Sequence, residues 1–316
     1  MKLMFAGTPD FAVPSLKALL SSRHEVVGVL TQPARPAGRG KKLSMSAIKS
    51  VALENNLSVY QPENLQGENG QHIIGLLGKG VDAMIVVAYG LIVSSSILHA
   101  PRLGCINIHP SRLPAWRGAA PIQHTVLYGE GETAVTIMQM DAGMDSGPIL
   151  SQTNYSVGDT ETSAQLHDRL AVAGANDLLR TLDDLEAGEI VPQPQHHALA
   201  TYTKKIHKAD AVLDWTLSAA ELACRVRAFN SWPVAYTHLH EQRLRVWRAE
   251  PVNMTEKVLG TPGTIACLTE KGMDVVTGDG VLRILELQCP GSKVMSVRDF
   301  VNSKAADITV GETTLS

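Results

Sequence analysis

Short apolar runs recur along the first half of this chain, each ending on a turn signal and each followed by a segment with helical spacing. Leu3 to Ala6, Val26 to Leu30, Val81 to Val87 and Cys105 to Ile108 are too short for buried helices and almost continuously apolar. Runs of that kind belong to strands covered on both faces, as in parallel sheets. Residues 14–21, 47–55, 73–77 and 94–98 read as helices between them, with Ser58 to Gln61 as a further short strand. Strand alternating with helix predicts a doubly wound, mostly parallel α/β domain. The opening β-turn-α-β resembles a nucleotide-binding crossover, but Gly7-Thr8-Pro9-Asp10 is not G-x-G-x-x-G, which disfavours an NAD-type oxidoreductase.

Beyond this core, Thr133 to Met140 reads as another strand and Ser163 to Leu185 as a helix with a leucine stripe of the kind that faces a core. Between Gly188 and Asp210 the composition turns to Pro, His and polar residues, as in a linker. An amphipathic helix, 217–229, then gives way to short alternating runs with a Gly278-Asp279-Gly280 turn, which predicts a small OB-like β-barrel. The expected organisation is therefore a first domain over 1–189, a linker over 190–209 and a second domain over 210–316.

A chain of 316 residues has room for two such domains. Its net charge of −3 excludes a strongly basic nucleic-acid binder, yet the charge is uneven. The first 190 residues carry 14 Lys+Arg against 18 Asp+Glu, and the remainder 14 against 13. Cys105, Cys224, Cys267 and Cys289 are widely spaced and form no C-x-x-C pair. That argues against a structural zinc site or a disulfide framework and predicts a cytoplasmic protein. The N-terminal apolar run is too short for a signal peptide and no stretch approaches a membrane span, so no membrane partner is expected.

One run ends in chemistry. Asn107 and His109 stand two apart on a strand, hence on one side of it, and the strand must stop at Pro110. In such sheets ligands bind beyond the strands' carboxyl ends. Asn can donate to an oxyanion and His can shuttle a proton near neutral pH. After the 133–140 strand comes Asp141-Ala142-Gly143-Met144-Asp145-Ser146-Gly147-Pro148, in which Asp145 can orient the imidazole or simply serve as a turn residue. His109 could equally cap loop carbonyls, or with Asp145 begin a metal site, although no third ligand has a recognisable spacing. No Ser or Cys sits in a nucleophile elbow. A second feature is residues 31–42, with Arg35, Arg39, Lys41 and Lys42, two prolines, two glycines and no acid. It reads as an irregular loop, either solvated or seeking phosphates.

Asn107-Ile108-His109-Pro110-Ser111-Arg112-Leu113-Pro114, with Trp116-Arg117-Gly118-Ala119-Ala120-Pro121, resembles the family of formyltransferases that use 10-formyltetrahydrofolate. Gly7-Thr8-Pro9-Asp10-Phe11, the 35–42 loop, the 138–147 stretch and Arg227-Ala228-Phe229-Asn230-Ser231-Trp232-Pro233 are similar to the branch acting on methionyl-tRNA. Pro110 and Arg112 depart from the family pattern, which has a small residue and a Leu there. The resemblance implies Asn107, His109 and Asp145 as catalytic residues, with Ser111, Arg112, Leu113 and Pro114 at the folate. Arg35, Arg39, Lys41 and Lys42 would contact tRNA. It further implies 10-formyltetrahydrofolate as formyl donor without a metal, initiator methionyl-tRNA as acceptor, and a monomer. Two other readings remain: a formyltransferase for a small amine, and a non-catalytic nucleic-acid-binding protein.

Overall fold

The computed structural model describes residues 1–37, 42–252, 260–304 and 307–316. The chain divides into two compact units. The first comprises 1–121, 132–156 and 167–203, and the second 122–131, 157–166 and 204–316.

In the first unit the elements run β1 (Lys2–Gly7), α1 (Val13–Leu20), β2 (Glu25–Leu30), β3 (Arg35–Ala37), β4 (Lys42–Ser44), α2 (Ala47–Glu54), β5 (Val59–Tyr60), α3 (Gly67–Leu77), β6 (Ala83–Val87), α4 (Ser95–Leu98), β7 (Cys105–His109), β8 (Arg117–Gly118), α5 (Pro121–Leu127, which enters the second unit), β9 (Glu132–Gln139), β10 (Ile149–Ser156), α6 (Ser163–Ala187, which starts in the second unit) and β11 (Tyr202–Thr203). Seven strands form one sheet in the order β10-β9-β7-β6-β1-β2-β5. The five from β7 to β5 are parallel, whereas β9 and β10 are antiparallel to their neighbours. The doubly wound, mostly parallel expectation therefore holds, with an antiparallel margin.

The margin was only half visible in the sequence. Ile149 to Ser156 has two apolar residues and then alternates partly buried and exposed polar ones, the signature of an edge strand covered on one side. Central strands β1 and β6 are apolar and buried along almost their whole length. Met4, Ala6, Met84, Val86 and Cys105 pack with Ile73, Leu77, Ile97 and Leu98 of α3 and α4 on one face. On the other, α6 approaches closely enough that a Cβ at Gly174 would stand 2.9 Å from Ile108. Residues of β7 alternate between these faces, so Asn107 and His109 share the face of Cys105 and α3–α4.

Two further expectations change. The 31–42 segment is not wholly irregular, since β3 and β4 pair as an antiparallel hairpin. Arg39 and Lys41 lie outside the described residues. Residues 190–203 are built into the first unit: Gln193 pairs with Ile149, and β11 pairs with β8.

The second unit contains α7 (Ala219–Ala228), β12 (Tyr236–Leu239), β13 (Gln242–Val252), β14 (Ile265–Thr269), β15 (Gly272–Val276), β16 (Val281–Gln288), β17 (Met295–Ser296) and α8 (Val297–Lys304). Helix α7 starts at a capping box in which Ser218 and Glu221 bond each other's backbone N–H. The strands form an antiparallel half-barrel in the order β12-β13-β16-β15-β14, with β17 added to β16. The final residues link its two ends, Ser316 bonding His238 of β12 and Leu315 bonding Gly263 before β14. Among the described residues no helix is long and apolar enough to cross a membrane.

Candidate active site

Because β9 runs antiparallel to β7, its carboxyl end lies beside the start of β7: Gln139 pairs with Ile106, and Thr136 with His109. The 141–148 loop must therefore turn back along the sheet face to bring Asp145 to His109. Residues 110–118 fold over the same face from the other end. Thr136 Oγ1 donates to Ser111 O at 2.7 Å, and Gln152 Nε2 donates to Leu113 O at 3.0 Å.

The two loops meet at His109, which is only 4% exposed. Its Nε2 lies 3.0 Å from the carbonyl oxygen of Trp116. A carbonyl only accepts, so Nε2 carries the hydrogen and Nδ1 is the nitrogen left to gain or lose a proton. Nδ1 faces Asp145 Oδ2 at 3.8 Å, an ion-pair separation beyond hydrogen-bond reach. The same oxygen accepts the Gly118 N–H at 2.7 Å. The carbonyl thus fixes the ring, and the carboxylate stands ready to stabilise its protonated form. Asn107, partly buried on the same face, has no side-chain hydrogen bond among the described residues, which leaves its amide available to a ligand.

Local backbone geometry holds this arrangement. Trp116 and Asp145 have φ of 61° and 49°, left-handed values that cost a non-glycine residue about 1–2 kcal/mol. Gly118, with φ of 110°, sits where a Cβ would meet Thr203 O at 2.6 Å, so only glycine lets β8 lie against β11 with its N–H aimed at Asp145. Thr201 bonds the backbone of Pro114, Trp116 and Arg117, while Gln195 Nε2 donates to the carbonyls of Asp145 and Gly147 at 2.9 and 2.8 Å. Thus the 193–203 stretch, which composition marks as a linker, straps both site loops together. The backbone role of Trp116 carries no signal in residue type, Gly118 shows in the sequence only as one glycine among 26, and a glutamine among prolines and histidines carries almost none.

The other expected residues divide. Ser111 is fully buried, its Oγ donating to Ala115 O at 2.7 Å, and Leu113 is 3% exposed. Pro114 is partly buried. Arg112 points outward, donating to Asn154 Oδ1 at 3.1 Å and lying 3.7 Å from Glu132. Cys105, on the same strand, is no nucleophile: burial pushes its thiol up to about 12. Among the described residues no group of three or more His, Cys, Asp or Glu is placed to hold a metal ion.

The second unit presents a feature of a different kind. Lys208, Arg243 and Arg245 surround Trp232 and Tyr236 at a cavity of about 240 Å³. The Arg243 guanidinium lies 4.0 Å from the centroid of the Tyr236 ring, and Trp232 is half exposed. Among the described residues no carboxylate lines the cavity. The alternation Leu244-Arg245-Val246-Trp247 on β13 reads as a strand in the sequence, but not as one half of this cationic and aromatic face, and Arg243 stands just ahead of it.

Comparison with known proteins bears on both units. A family model described as formyl transferase matches residues 1–182, and one described as formyl transferase, C-terminal domain, matches residues 205–305. The chain is 45% identical over 313 residues to the methionyl-tRNA formyltransferase of Coxiella burnetii, a match spanning 99% of this chain and 98% of that one. Among solved structures it is similar to a methionyl-tRNA formyltransferase from Clostridium thermocellum, with a TM-score of 0.55, 16% identity and coverage of 88% of this chain and 99% of that one. It is also similar to WlaRD, a sugar 3N-formyl transferase solved with dTDP and 5-N-formyl-THF, with a TM-score of 0.69, 17% identity and coverage of 93% and 99%. At such identities the two structures speak to the fold, while the family models and the Coxiella relative speak to descent: the chain belongs to the formyl transferase family.

Proposed function

We propose that this chain transfers the formyl group of 10-formyltetrahydrofolate to the α-amino group of methionine on initiator methionyl-tRNA, the step that prepares that tRNA for translation initiation. The observation that carries the reading is similarity running from end to end of the methionyl-tRNA formyltransferase of Coxiella burnetii, both units included. The cationic, aromatic face of the second unit supports a polyanionic acceptor over a small amine.

Asn107, His109 and Asp145 carry the chemistry in this reading. The acceptor amine, with an ordinary pKa of about 7.7–8.0, keeps a usable neutral fraction near pH 7. As it attacks the formyl carbon, negative charge grows on the formyl oxygen, and the Asn107 amide, without a protein partner among the described residues, donates to it. His109 Nδ1 takes the proton that the amine loses and returns it to N10 of the departing folate. Asp145, 3.8 Å away, stabilises the imidazolium formed between those two events. The donor is already activated by its aryl nitrogen, and no step here calls on a metal.

Of the residues expected at the folate, Ser111 and Leu113 act in this reading through the shape of the 110–118 loop, because both side chains are buried, and Pro114 forms its rim. Arg112, engaged with Asn154, serves the loop's outer side. Arg35, Arg39, Lys41 and Lys42 remain proposed tRNA contacts, joined by Lys208, Arg243 and Arg245. Residues 1–189 are assigned to folate and catalysis and 210–316 to tRNA, in a monomer working in the cytoplasm. The test is to mix the protein with 10-formyltetrahydrofolate and methionyl initiator tRNA and look for formyl-methionine. Donor consumption with small amines and not with the charged tRNA defeats the reading, and tRNA binding without turnover favours the non-catalytic binding protein.

A further inference from the structure

Among the described residues Arg117 is the largest fully buried side chain, 2% exposed, and it has no carboxylate partner. A buried guanidinium is costly to desolvate and is ordinarily matched by an opposite charge. Here its Nη2 and Nε instead fork onto one neutral oxygen, Gln195 Oε1, at 2.6 and 3.1 Å. The remaining contacts are also neutral: Tyr202 Oη at 3.4 Å and His197 Nδ1 at 3.2 Å. The orientation this imposes on Gln195 has a consequence. With Oε1 held by the guanidinium, the Gln195 amide nitrogen must point the other way, and both of its hydrogens are used, on Asp145 O and Gly147 O. The next residue's backbone acts on the same target, since Gly118 N–H donates to Asp145 Oδ2.

We propose that Arg117 and Gln195 are a positioning pair for Asp145, setting the backbone of the 145–147 turn so that its carboxylate faces His109 Nδ1. This inference rests on the catalytic reading of His109 and Asp145. Three facts carry it. Asp145 is held in left-handed backbone with φ of 49°, which needs outside support. The supports grip both its carbonyl and its carboxylate. And a carboxylate at position 195 satisfies Arg117 better than the glutamine does, but supplies no donor. The neutral amide is the side chain of that shape able to accept from the guanidinium and donate to two carbonyls at once. Arg117 orients it, and Lys in its place lacks the fork.

The test separates anchoring of a buried cation from positioning of the turn. Gln195→Glu keeps a partner for Arg117 and loses both donors, whereas Gln195→Met loses both functions. Gln195→Glu is expected to fold and to melt above Gln195→Met, its ion pair with Arg117 offsetting in part the two lost donors. Its kcat is expected to fall by about 10- to 100-fold, the scale for a sub-ångström to 1 Å misplacement of a catalytic group, with KM for tRNA and folate within about twofold. The Gly118 amide gives a readout independent of turnover. Its charge-assisted bond to Asp145 is expected to loosen in Gln195→Glu and Gln195→Met alike, moving its ¹H resonance upfield toward its place in Asp145→Asn. Wild-type kcat in Gln195→Glu, or a Gly118 resonance unmoved in both variants, overturns the proposal and leaves Arg117 as a structural anchor. If the wild-type protein transfers no formyl group, the functional reading falls, and the Gly118 amide still decides whether the pair positions Asp145.

Discussion

The His109–Asp145 site of the first unit and the Trp232–Tyr236 face of the second solve opposite problems. Around His109 nearly everything that fixes geometry is backbone: the Trp116 carbonyl, the Gly118 N–H, and the carbonyls of Asp145 and Gly147 held by one glutamine. His109 is buried and Asp145 partly so, and Trp116 and Asp145 sit in left-handed conformations. Around Tyr236 the recognition groups are two exposed cations, Lys208 and Arg243, a partly buried Arg245 and two aromatic residues, with little holding them beyond Arg243 stacked on the Tyr236 ring and Arg245 3.4 Å from Gln288. Chemistry is sensitive to fractions of an ångström, whereas attraction of a phosphate backbone is additive in charge and tolerant of position. Substitutions in the first region should therefore act on rate and be strongly coupled, and those in the second on binding and be nearly additive.

The largest effect is expected at His109. His109→Ala should lower kcat by roughly 10²–10³, the scale of losing one stabilising group in the transition state, with tRNA affinity unchanged. Near-normal turnover in the folded variant removes His109 from the mechanism. Asp145→Asn should come close behind, and the His109→Ala, Asp145→Asn double variant should be little worse than either alone, because groups acting as one unit are not additive. Losses that multiply would show that the 3.8 Å pair does not work as a pair.

Smaller effects are expected from the cations. Arg39, between two glycines, can bring its planar fork against a base edge, so Arg39→Ala should lower kcat/KM for tRNA at every salt concentration by a factor corresponding to about 1–3 kcal/mol. Unchanged formylation at low and high salt assigns Arg39 to the solvated surface. Arg243→Ala and Arg245→Ala should each reduce the salt slope of tRNA binding by about one unit, and together by about two. A slope that does not change leaves the cavity in the second unit without a role in tRNA binding. The smallest effect is expected at Arg112, whose guanidinium bonds Asn154 on the exposed side of its loop. Arg112→Leu should leave KM for the folate within about twofold, and a large rise would bring this residue back to the donor.

The sequence carried the central sheet and the chemistry-bearing side chains for one reason: both are statements about side-chain type. Apolar runs mark β1, β2, β6 and β7 because burial on both faces demands them, and Asn107 and His109 stand out because a buried strand ends on polar groups. It did not carry β10, whose residues are polar because an edge strand is covered only in part. Nor did it show that β9 runs antiparallel to β7, which forces the Asp145 loop back along the sheet. The role of 193–203 was hidden for a different reason. Proline and histidine give that stretch the composition of a linker, while its work is shared between main-chain bonds to Ile149, Pro114 and Arg117, which any sequence could make, and the side chain of one glutamine, Gln195, which residue type alone does not mark.

The measurement that bears most directly on this division of labour is a single-turnover rate of formyl transfer, with enzyme in excess over methionyl initiator tRNA and both substrates saturating. Binding defects vanish under those conditions and chemical ones do not. The Arg243→Ala, Arg245→Ala variant is expected to reach the wild-type rate at saturation while His109→Ala stays roughly 10²–10³ below it. A His109→Ala rate that recovers at saturation, or a double arginine variant that stays slow, would contradict this division of labour.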